Sequence, residues 1–355
     1  MKNIDQYFKS LIVEGTSDIH FKVSRPPLRR VHGVLDPVEG EPLTPGDTEE
    51  IAIHLLGSTL WERFLESQEI DTSYSIPGFN RFRVSVFRQR GSISIVMRII
   101  PFAVPTLDEL RVPEVVKKIA MEPRGLVLVT GMTGSGKSST LAAMVNHINT
   151  NVKRHIITIE DPIEFLHQDR KSSINQREIG IDTSNFAAAF RAALRQDPDI
   201  ILVGELRDIE TMEIALRAAE TGHLVLSTLH TTDAKETVGR FIDAFPPHQQ
   251  KQVRIQLASN LRAVISQRLL QRADGSGLAL AAEIMVVNAA IRGYIFDPQK
   301  TGEITENISK GKEHYGMQTF DQSLMELLQL GLISKEEAVK NATSPNDFML
   351  KLSLK

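Results

Sequence analysis

A glycine-rich stretch has the residue types that hold the phosphates of a nucleoside triphosphate. An apolar run over 125–130 leads into Gly-Met-Thr-Gly-Ser-Gly-Lys-Ser at 131–138, and a helical segment follows over 140–148. The spacing Gly-x-x-x-x-Gly-Lys-Ser, set between a strand and a helix, is that of a P-loop. Glycine permits the backbone turns that aim N–H groups at phosphate oxygens, because it has no Cβ to clash. The sequence therefore predicts a nucleotide site here.

Individual positions of this loop have expected tasks. Lys137 brings a cation to the β and γ phosphates, Ser138 offers its hydroxyl to a magnesium ion, and the N-terminus of the following helix adds a partial positive charge. The predicted cofactors are ATP and Mg²⁺. The predicted nucleotide-binding residues are Gly131, Thr133, Gly134, Ser135, Gly136, Lys137, Ser138 and Ser139.

Carboxylates follow two further apolar runs, at strand ends that would face the phosphates. After the run 200–203 the acid is Glu205, because Gly204 stands where many P-loop ATPases have a magnesium-holding aspartate. The run 156–159 leads into Glu-Asp-Pro-Ile-Glu at 160–164. Several carboxylates on one loop repel one another unless cations offset them, as a lysine and a magnesium triphosphate would. An exposed acidic turn without a catalytic role remains the alternative.

Histidines mark both ends of another apolar run. His230 comes just after 224–229, at the strand end where P-loop proteins hold phosphates, so it is a candidate sensor of the γ-phosphate. His223 precedes the run, and the strand between the two histidines spans about 23 Å at ~3.3 Å per residue. His223 therefore cannot reach the same atom unless the chain bends, and an interface or structural role is expected for it.

Composition excludes several classes of protein. The chain of 355 residues has no cysteine, which rules out disulfides, cysteine-ligated zinc and thiol catalysis. Its net charge of −3 gives no overall positive field that would favour nucleic acid. No apolar run reaches the ~20 residues that cross a bilayer, so a soluble, unexported protein is expected. The length exceeds a typical domain of ~150 residues and suggests two domains.

Apolar spacing in the first hundred residues predicts a domain of helices and strands. Helical periodicity covers 4–11 and 48–65, the second with Trp61 as a core residue. Strand-like alternation covers 18–23 and 30–35, with a proline-rich turn between them.

The stretch 80–100 predicts a β-hairpin with a basic face. Apolar residues alternate there with Arg81, Arg83 and Arg98. A solvated strand face is the plain interpretation of these arginines, and contact with an anion is the alternative. The proline-rich stretch 101–113 predicts an interdomain linker.

Beyond residue 114 strand-like and helix-like runs alternate, which indicates an α/β fold with a parallel sheet flanked by helices. The predicted strands are 126–130, 156–160, 200–204 and 224–228. The predicted helices are 139–148, 186–195, 211–220, 249–271, 320–330 and 335–341.

Taken together, these motifs resemble the secretion-type ATPase superfamily, in which Walker A, Asp box, Walker B and His box follow in this order. The matching stretches are Ser-Asp-Ile-His-Phe at 17–21, the P-loop with its strand at 123–138, Glu-Asp-Pro-Ile-Glu at 160–164, Arg-Gln-Asp-Pro-Asp at 195–199, Gly-Glu-Leu-Arg-Asp at 204–208, Glu-Thr-Gly-His at 220–223 and Gly-Met-Gln-Thr-Phe-Asp-Gln at 316–322. Within the superfamily the chain looks like the PilT-like type IV pilus retraction ATPases. The resemblance implies a PAS-like α+β domain over 1–100, a linker over 101–113, a RecA-like ATPase domain with C-terminal helices over 114–355, and a hexameric ring.

The resemblance also implies roles for residues that match its motifs. Glu164 would polarise the attacking water, Glu205 would hold magnesium through water, and His230 would sense the γ-phosphate. Arginines of the hairpin would approach the nucleotide from the N-terminal domain: Arg81, Arg83 and Arg98.

The implied setting is the inner face of the cytoplasmic membrane. A cytoplasmic homohexamer would contact an inner-membrane pilus platform protein, with no nucleic acid and no membrane contact of its own. PilT- or PilU-type paralogues or an assembly ATPase would be further partners.

Two stretches depart from the family pattern. Met132 stands at a loop position that usually holds proline, with its side chain expected to face away from phosphate. Residues 290–297 read Ala-Ile-Arg-Gly-Tyr-Ile-Phe-Asp, where retraction ATPases have Ala-Ile-Arg-Asn-Leu-Ile-Arg-Glu.

Three alternative functions share parts of this pattern. An accessory, PilU-like paralogue fits the altered segment 290–297. A pilus-assembly or type II secretion ATPase would have a longer N-terminal extension and often a four-cysteine zinc insert, and the chain shows neither. A regulatory subunit with little turnover is disfavoured, because Lys137, Glu164 and Glu205 are retained.

Overall fold

The computed structural model describes residues 3–100 and 103–353. The chain divides into two compact units, one formed by residues up to 103 together with 162–166, and the other by 104–161 together with 167–355. Residues 101 and 102, which begin the predicted linker, lie outside the described residues. Farther along that segment, Leu107 is buried in an apolar cluster of the second unit.

The first unit is an antiparallel sheet with helices, an α+β arrangement. Its elements are α1 (Ile4–Leu11), β1 (Thr16–Phe21), β2 (Leu28–Val31), β3 (Val34–Pro37), α2 (Pro45–Ser67), β4 (Glu69–Ile76), β5 (Asn80–Gln89) and β6 (Ser92–Ile100). The strands lie in the order β3-β2-β1-β6-β5-β4. The predicted hairpin over 80–100 is confirmed as β5 and β6, and its apolar residues enter the core while Arg83 and Arg98 stay exposed.

One strand prediction in this unit is wrong. Residues 30–35 are not a single strand, because the chain reverses at His32 (φ 48°) and Gly33 (φ 86°) between β2 and β3. Two consecutive left-handed residues make a tight hairpin turn, which glycine at the second position favours. The predicted helix over 48–65 is confirmed as α2, which has a non-helical residue inside it at Gly57. Strand β4 was missed by the sequence analysis.

The second unit is a largely parallel sheet flanked by helices. Its strands are β7 (Gly125–Thr130), β8 (His155–Glu160), β9 (Ser173–Glu178), β10 (Ile200–Val203), β11 (Leu224–Leu229), β12 (Leu261–Gln271) and β13 (Leu278–Val286). Its helices are α3 (Val115–Ala120), α4 (Lys137–Asn151), α5 (Phe186–Ala193), α6 (Ile209–Glu220), α7 (Ala234–Asp243), α8 (Pro247–Asn260), α9 (Ala289–Phe296), α10 (Ile304–Lys310), α11 (Lys312–Tyr315), α12 (Phe320–Gln329), α13 (Lys335–Asn341) and α14 (Pro345–Ser353), with a 3₁₀ helix at Pro298–Glu303.

Strand order places the glycine-rich loop near the middle of the sheet. The order is β13-β12-β7-β11-β10-β8-β9, with β13 antiparallel to β12 and the other pairs parallel. Strands β7, β10 and β11 are buried along their whole length, because helices cover both faces of the sheet. Their carboxyl ends therefore open at one edge, the usual ligand edge of such sheets.

The predicted helix over 249–271 is wrong in its second half. Helix α8 ends at Asn260, and β12 takes the chain from Leu261 to Gln271 between β7 and β13. Strand β12 mixes apolar and polar residues and lacks the strict alternation of a half-buried strand, so its pattern does not differ clearly from that of a helix. Strands β9 and β13 and helix α7 were also missed. None of the described helices has the length and apolar character to cross a membrane.

Candidate active site

Three predicted groups meet at the carboxyl edge of the central strands. Thr130, the last residue of β7, lies directly opposite Leu229 of β11, so Gly131 and His230 leave adjacent strands side by side. Val203 of β10 pairs with the next strand, β11, at Ser227. Parallel pairing thus brings the glycine-rich loop, His230 and the segment with Glu205 to one edge, as the sequence predicts.

Glycine is required where the loop begins. Gly131 has a φ of 143°, and a Cβ placed on it would lie 2.5 Å from the carbonyl oxygen of Gln267 in β12. Gly136 has a φ of 88° and caps the N-terminus of α4, which then runs away from the loop over fifteen residues. The loop therefore wraps the start of α4, where unpaired backbone N–H groups and the helix dipole favour an anion.

The Lys137 ammonium and the Ser135 hydroxyl are side-chain groups of this loop that could contact a phosphate. The Lys137 ammonium donates to the carbonyl oxygens of Gly131 at 2.8 Å and Met132 at 3.0 Å. Burial lowers the pKa of Lys137, and the charge of Glu205 opposes that shift. The Ser135 Oγ is buried and has no hydrogen-bond partner within the described structure. A phosphate oxygen is the type of acceptor that such a hydroxyl lacks.

Other loop residues differ in exposure. Thr133, Gly134 and Ser138 are exposed, and Ser139 is half-buried. Met132 is 65% exposed.

Glu205 lies between two cationic or ionisable side chains. Its Oε1 pairs with the Arg207 guanidinium, and its Oε2 lies 3.5 Å from the Nε2 of His230. The carboxylate side chain is only 15% exposed, whereas that of His230 is 53% exposed. The Glu205 carboxylate raises the pKa of Arg207, mainly by accepting its hydrogen bond, and Asp161 adds to the effect. The sequence analysis gave Arg207 no role, although a cation two residues after a strand-end carboxylate was a usable signal.

The acidic stretch 160–164 has carboxylates in different settings. Glu160 is half-buried, and its Oε1 accepts from the Thr158 hydroxyl at 2.6 Å and from the Gln176 amide at 3.2 Å. Asp161 and Glu164 are exposed. Glu164 belongs to the first unit, as do residues 162–166, whereas Glu160 and Asp161 belong to the second unit.

A magnesium ion would find few protein ligands at this edge. Within the described ranges no group of three or more histidine, aspartate or glutamate side chains is arranged for a metal. Magnesium in nucleotide sites keeps several waters and takes one or two protein ligands together with phosphate oxygens. An exposed Ser138 hydroxyl at the start of α4 and the nearly buried Glu205 fit that sparse requirement.

The predicted arginines lie in the first unit, on one face of its sheet. Arg81 donates to the hydroxyls of Ser73 at 2.6 Å and Ser75 at 3.0 Å. Arg83 is exposed and lies directly opposite Arg98 on the neighbouring strand. In contrast, the Arg98 Nε donates to the buried carboxylate of Asp18 at 2.8 Å, and Arg30 lies 3.6 Å from its other oxygen. Arg98 therefore has a structural partner within its own sheet.

His223 makes hydrogen bonds within the second unit, at the end of the sheet away from the loop. Its ring Nδ1 lies 3.0 Å from the Ala218 carbonyl oxygen and 3.2 Å from the Thr221 hydroxyl, at the end of α6. Its carbonyl oxygen accepts from Gly125 at the start of β7, the end of the strand away from the glycine-rich loop.

The family described as "Type II/IV secretion system protein" matches residues 1–326. The chain belongs to this family. It is 45% identical over 335 residues to the "Type IV pilus retractation ATPase PilT" of Pseudomonas aeruginosa, covering 94% of this chain and 96% of that protein. It is 40% identical over 352 residues to the "Type IV pilus ATPase PilU" of the same organism, covering 99% of this chain and 91% of that protein.

The fold agrees with a solved member of the family. The structure described as "Crystal Structure of the Pilus Retraction Motor PilT and Bound ADP" matches with a TM-score of 0.88 and 43% identity, over 97% of this chain and 98% of that one. The predicted resemblance to PilT-like secretion-type ATPases and the predicted α/β ATPase fold are confirmed. Membership of this family makes the chain an ATPase with a nucleotide site.

Proposed function

We propose that the protein is an ATP-hydrolysing hexameric motor that powers type IV pilus retraction. Similarity along nearly the whole chain to a retraction ATPase carries the proposal, since 94% of this chain aligns at 45% identity. The edge that joins the glycine-rich loop, Glu205 and His230 supplies the chemistry, because ATP hydrolysis needs held phosphates and groups that stabilise the developing charge. Release of phosphate would then be converted into removal of pilins from the fibre.

Each predicted site residue has a task in this proposal. The loop residues bind the phosphates, with Lys137 in contact with the β and γ groups and Ser138 in contact with Mg²⁺. Glu164 polarises the attacking water, as its place in the Asp-box stretch suggests. Glu205 holds Mg²⁺ through water, and His230 senses the γ-phosphate from a position 3.5 Å from the Glu205 carboxylate. Charge-stabilising arginines complete the site in the assembled ring: Arg81 and Arg83.

The proposed setting is cytoplasmic. The homohexamer would sit at the inner face of the cytoplasmic membrane and contact an inner-membrane pilus platform protein, without nucleic acid. Retraction and assembly ATPases use the same active-site residues, so the direction of the motor depends on the platform contact rather than on the chemistry.

An accessory, PilU-like function is the second candidate. Similarity to a PilU protein extends over 99% of the chain. In addition, 290–297 departs from the retraction-type segment, and the structure places most of it in α9 with Phe296 57% exposed. A surface that differs from the retraction type at this helix suits a subunit that acts beside a main motor.

Deletion of the gene, with surface pili and twitching as readouts, tests these candidates together. Excess surface pili with lost twitching supports the main retraction motor. Loss of surface pili with retained intracellular pilin overturns retraction and indicates an assembly ATPase. Unchanged piliation and twitching indicate the accessory role.

Complementation of the deletion strain with the gene for Lys137→Ala is the control. This variant removes the phosphate-binding cation from the loop. If it is expressed but does not restore the parent phenotype, the phenotype depends on nucleotide use.

A further inference from the structure

One buried carboxylate contacts the first turns of two helices in the second unit. Glu283 of β13 is 5% exposed, and its Oε1 accepts from the backbone N–H of Ala234 at 2.9 Å. The backbone N–H of Phe320 acts on the same carboxyl by lowering its pKa. Ala282, the neighbour of Glu283, donates its backbone N–H to the Ser323 hydroxyl of α12 at 3.2 Å. Ala234 is the first residue of α7, and Phe320 is the first residue of α12. The first N–H groups of a helix lack partners within the helix, so an anion there is favourable.

Glu283 also ends a polar row that crosses the sheet from the glycine-rich loop. It lies directly opposite Ser266 of β12, which in turn lies opposite Thr130 of β7. The Ser266 and Thr130 hydroxyls are 2.8 Å apart and buried. Thr130 is the residue before Gly131, so the row begins at the loop and ends at Glu283.

The loop that carries His230 is anchored on α7. Asp233 caps α7 through the N–H of Glu236, and the Thr231 hydroxyl lies 2.7 Å from that of Thr237 in the first turns of the helix. The backbone N–H of Thr232 donates to the Glu236 carboxylate at 2.8 Å. Any shift of the start of α7 is therefore passed to the loop 230–233.

We propose that Glu283 is a positioning residue that fixes His230 in the active site by holding the start of α7 against the start of α12. This inference rests on the proposed function, since it assumes ATP turnover in which His230 takes part. Through this contact, the position of the C-terminal helix α12 would affect the position of His230 next to the γ-phosphate. Movement of α12 would shift the carboxylate, the start of α7 and then His230.

The charged groups around Glu283 also connect it to α12. Burial raises the pKa of Glu283 to about 7, Asp233 of α7 adds to that shift, and Arg268 of β12 opposes it together with the two helix N–H groups. The Arg268 guanidinium lies 3.9 Å from the centre of the Phe320 ring and donates to the Asn341 carbonyl oxygen at 2.7 Å. Asp321 of α12 also acts on Arg268. Arg268, a cation that acts on Glu283, therefore contacts two of the C-terminal helices.

Two substitutions separate the reach of this side chain from its charge. Glu283→Asp keeps the ionisable carboxyl group but withdraws it by one methylene, so it no longer reaches both N–H groups. Glu283→Gln keeps the side-chain length and one oxygen acceptor but cannot ionise. Ile284→Val is the matched control, because Ile284 is buried on the same strand but packs in the apolar cluster that also contains Leu107. The readouts are turnover and KM for ATP, affinity for a fluorescent ATP analogue, and hydrogen exchange at backbone amides.

If Glu283 positions His230, the variants should differ in turnover. Glu283→Asp should lower turnover by about tenfold with nucleotide affinity changed less than about threefold, whereas Glu283→Gln and Ile284→Val should stay within about threefold of the parent turnover. Glu283→Asp should also speed hydrogen exchange over 230–237 and 319–323, which Ile284→Val should not. Combined with His230→Ala, Glu283→Asp should add almost no further loss, since both changes act through one group.

Several results would overturn the proposal: parent turnover in Glu283→Asp, equal loss in Glu283→Gln, or losses that add in the double variant. Unchanged exchange over 230–237 in Glu283→Asp would overturn it as well. Absence of ATP turnover in the parent protein would instead refute the proposed function. Hydrogen exchange would then still decide whether Glu283 holds the two helices together.

Discussion

Glu205 and Glu164 are both acids of the proposed site, but they lie in different local settings. Glu205 is nearly buried beside Arg207 and His230, whereas Glu164 is exposed in the segment 162–166. A carboxylate beside an arginine and a histidine at a strand end suits water-mediated contact with a metal ion. An exposed carboxylate on a loop can move to a water molecule when the site is completed.

Amide substitutions distinguish the two acids. Glu164→Gln should still bind ATP but lose turnover by a factor of about 10² or more, the scale of losing a general base. Glu205→Gln should raise the Mg²⁺ concentration needed for half-maximal turnover, because the water-mediated contact loses its charge. Magnesium titrations of steady-state turnover, with ATP affinity measured alongside, test both expectations. Near-parent turnover in Glu164→Gln would assign the water-activating role to another residue.

Glu283 makes the stability of the second unit depend on pH. Its pKa is raised from 4.5 to about 7, so the folded state keeps a proton that the unfolded chain releases. Its contribution to the free energy of unfolding is therefore fully present below pH 4.5 and is lost as pH rises to about 7, a change of about 3 kcal/mol. Glu283→Gln cannot titrate and should lack this loss.

Urea unfolding of the parent and of Glu283→Gln, from about pH 5 to about pH 8, measures this effect. Glu283→Gln should gain stability relative to the parent over that range, by about 2–3 kcal/mol in total. Curves for the two proteins that stay parallel across the range would show that the Glu283 pKa is not raised in the folded protein.

At the scale of elements, the glycine-rich loop is shaped by its contact with β12 as much as by its own sequence. Gly131 lies against the Gln267 carbonyl oxygen, and the Gln267 amide donates to the Thr140 hydroxyl in the first turn of α4 at 2.7 Å. Strand β12 thus supports both ends of the loop. A Cβ added at Gly131 would clash with the backbone oxygen of Gln267 as well as with the Ser135 side chain.

Gly131→Ala should therefore destabilise the protein even without nucleotide. The Cβ would meet a backbone oxygen at 2.5 Å and the residue would keep a φ of 143°, so a loss of about 1–3 kcal/mol is expected. Gly134→Ala is the matched comparison, because its φ of 80° adds strain but no atom lies within 4 Å of its Cβ. Thermal unfolding without nucleotide should show the larger loss for Gly131→Ala. Equal losses would mean that the backbone contact is not decisive.

At the scale of the whole molecule, the residues proposed for catalysis are divided between the two units. The glycine-rich loop, Glu205 and His230 belong to the second unit, and Arg81, Arg83 and Glu164 belong to the first. A site completed by more than one chain works only when it is assembled. Turnover should for this reason depend on the oligomeric state.

ATPase activity per subunit should rise with protein concentration until the ring is complete. Arg83→Ala and Arg81→Ala should lower turnover more than nucleotide affinity, since these arginines would act on the transition state. Arg90→Ala, at the exposed tip of the same hairpin, is the control and should leave both unchanged. Turnover measured together with light scattering tests this, and a fully active dilute monomer would contradict it.

The sequence by itself determined the chemistry of the nucleotide site. The spacing of Gly131, Gly136, Lys137 and Ser138 is local, so one stretch of chain contains the loop, the cation and the helix start. The parallel strands over 125–130, 200–203 and 224–229 could also be predicted, because buried runs bounded by turns and helices leave few alternative topologies. From that topology it followed that His230 and Glu205 share the edge of the loop.

Only the tertiary structure decided what lies beside those residues. Residues 261–271 mix apolar and polar types without strict alternation, so the sequence did not distinguish a helix from strand β12. The contact of β12 with Gly131 was missed for the same reason. The contact of Glu283 with the start of α7 joins residues far apart in the chain. Glu205 and Arg207 are only two residues apart, but their pairing depends on how the chain turns after β10. Such contacts depend on strand order and register, which local residue patterns do not encode, and they set the charge and the position of groups whose type the sequence had already given.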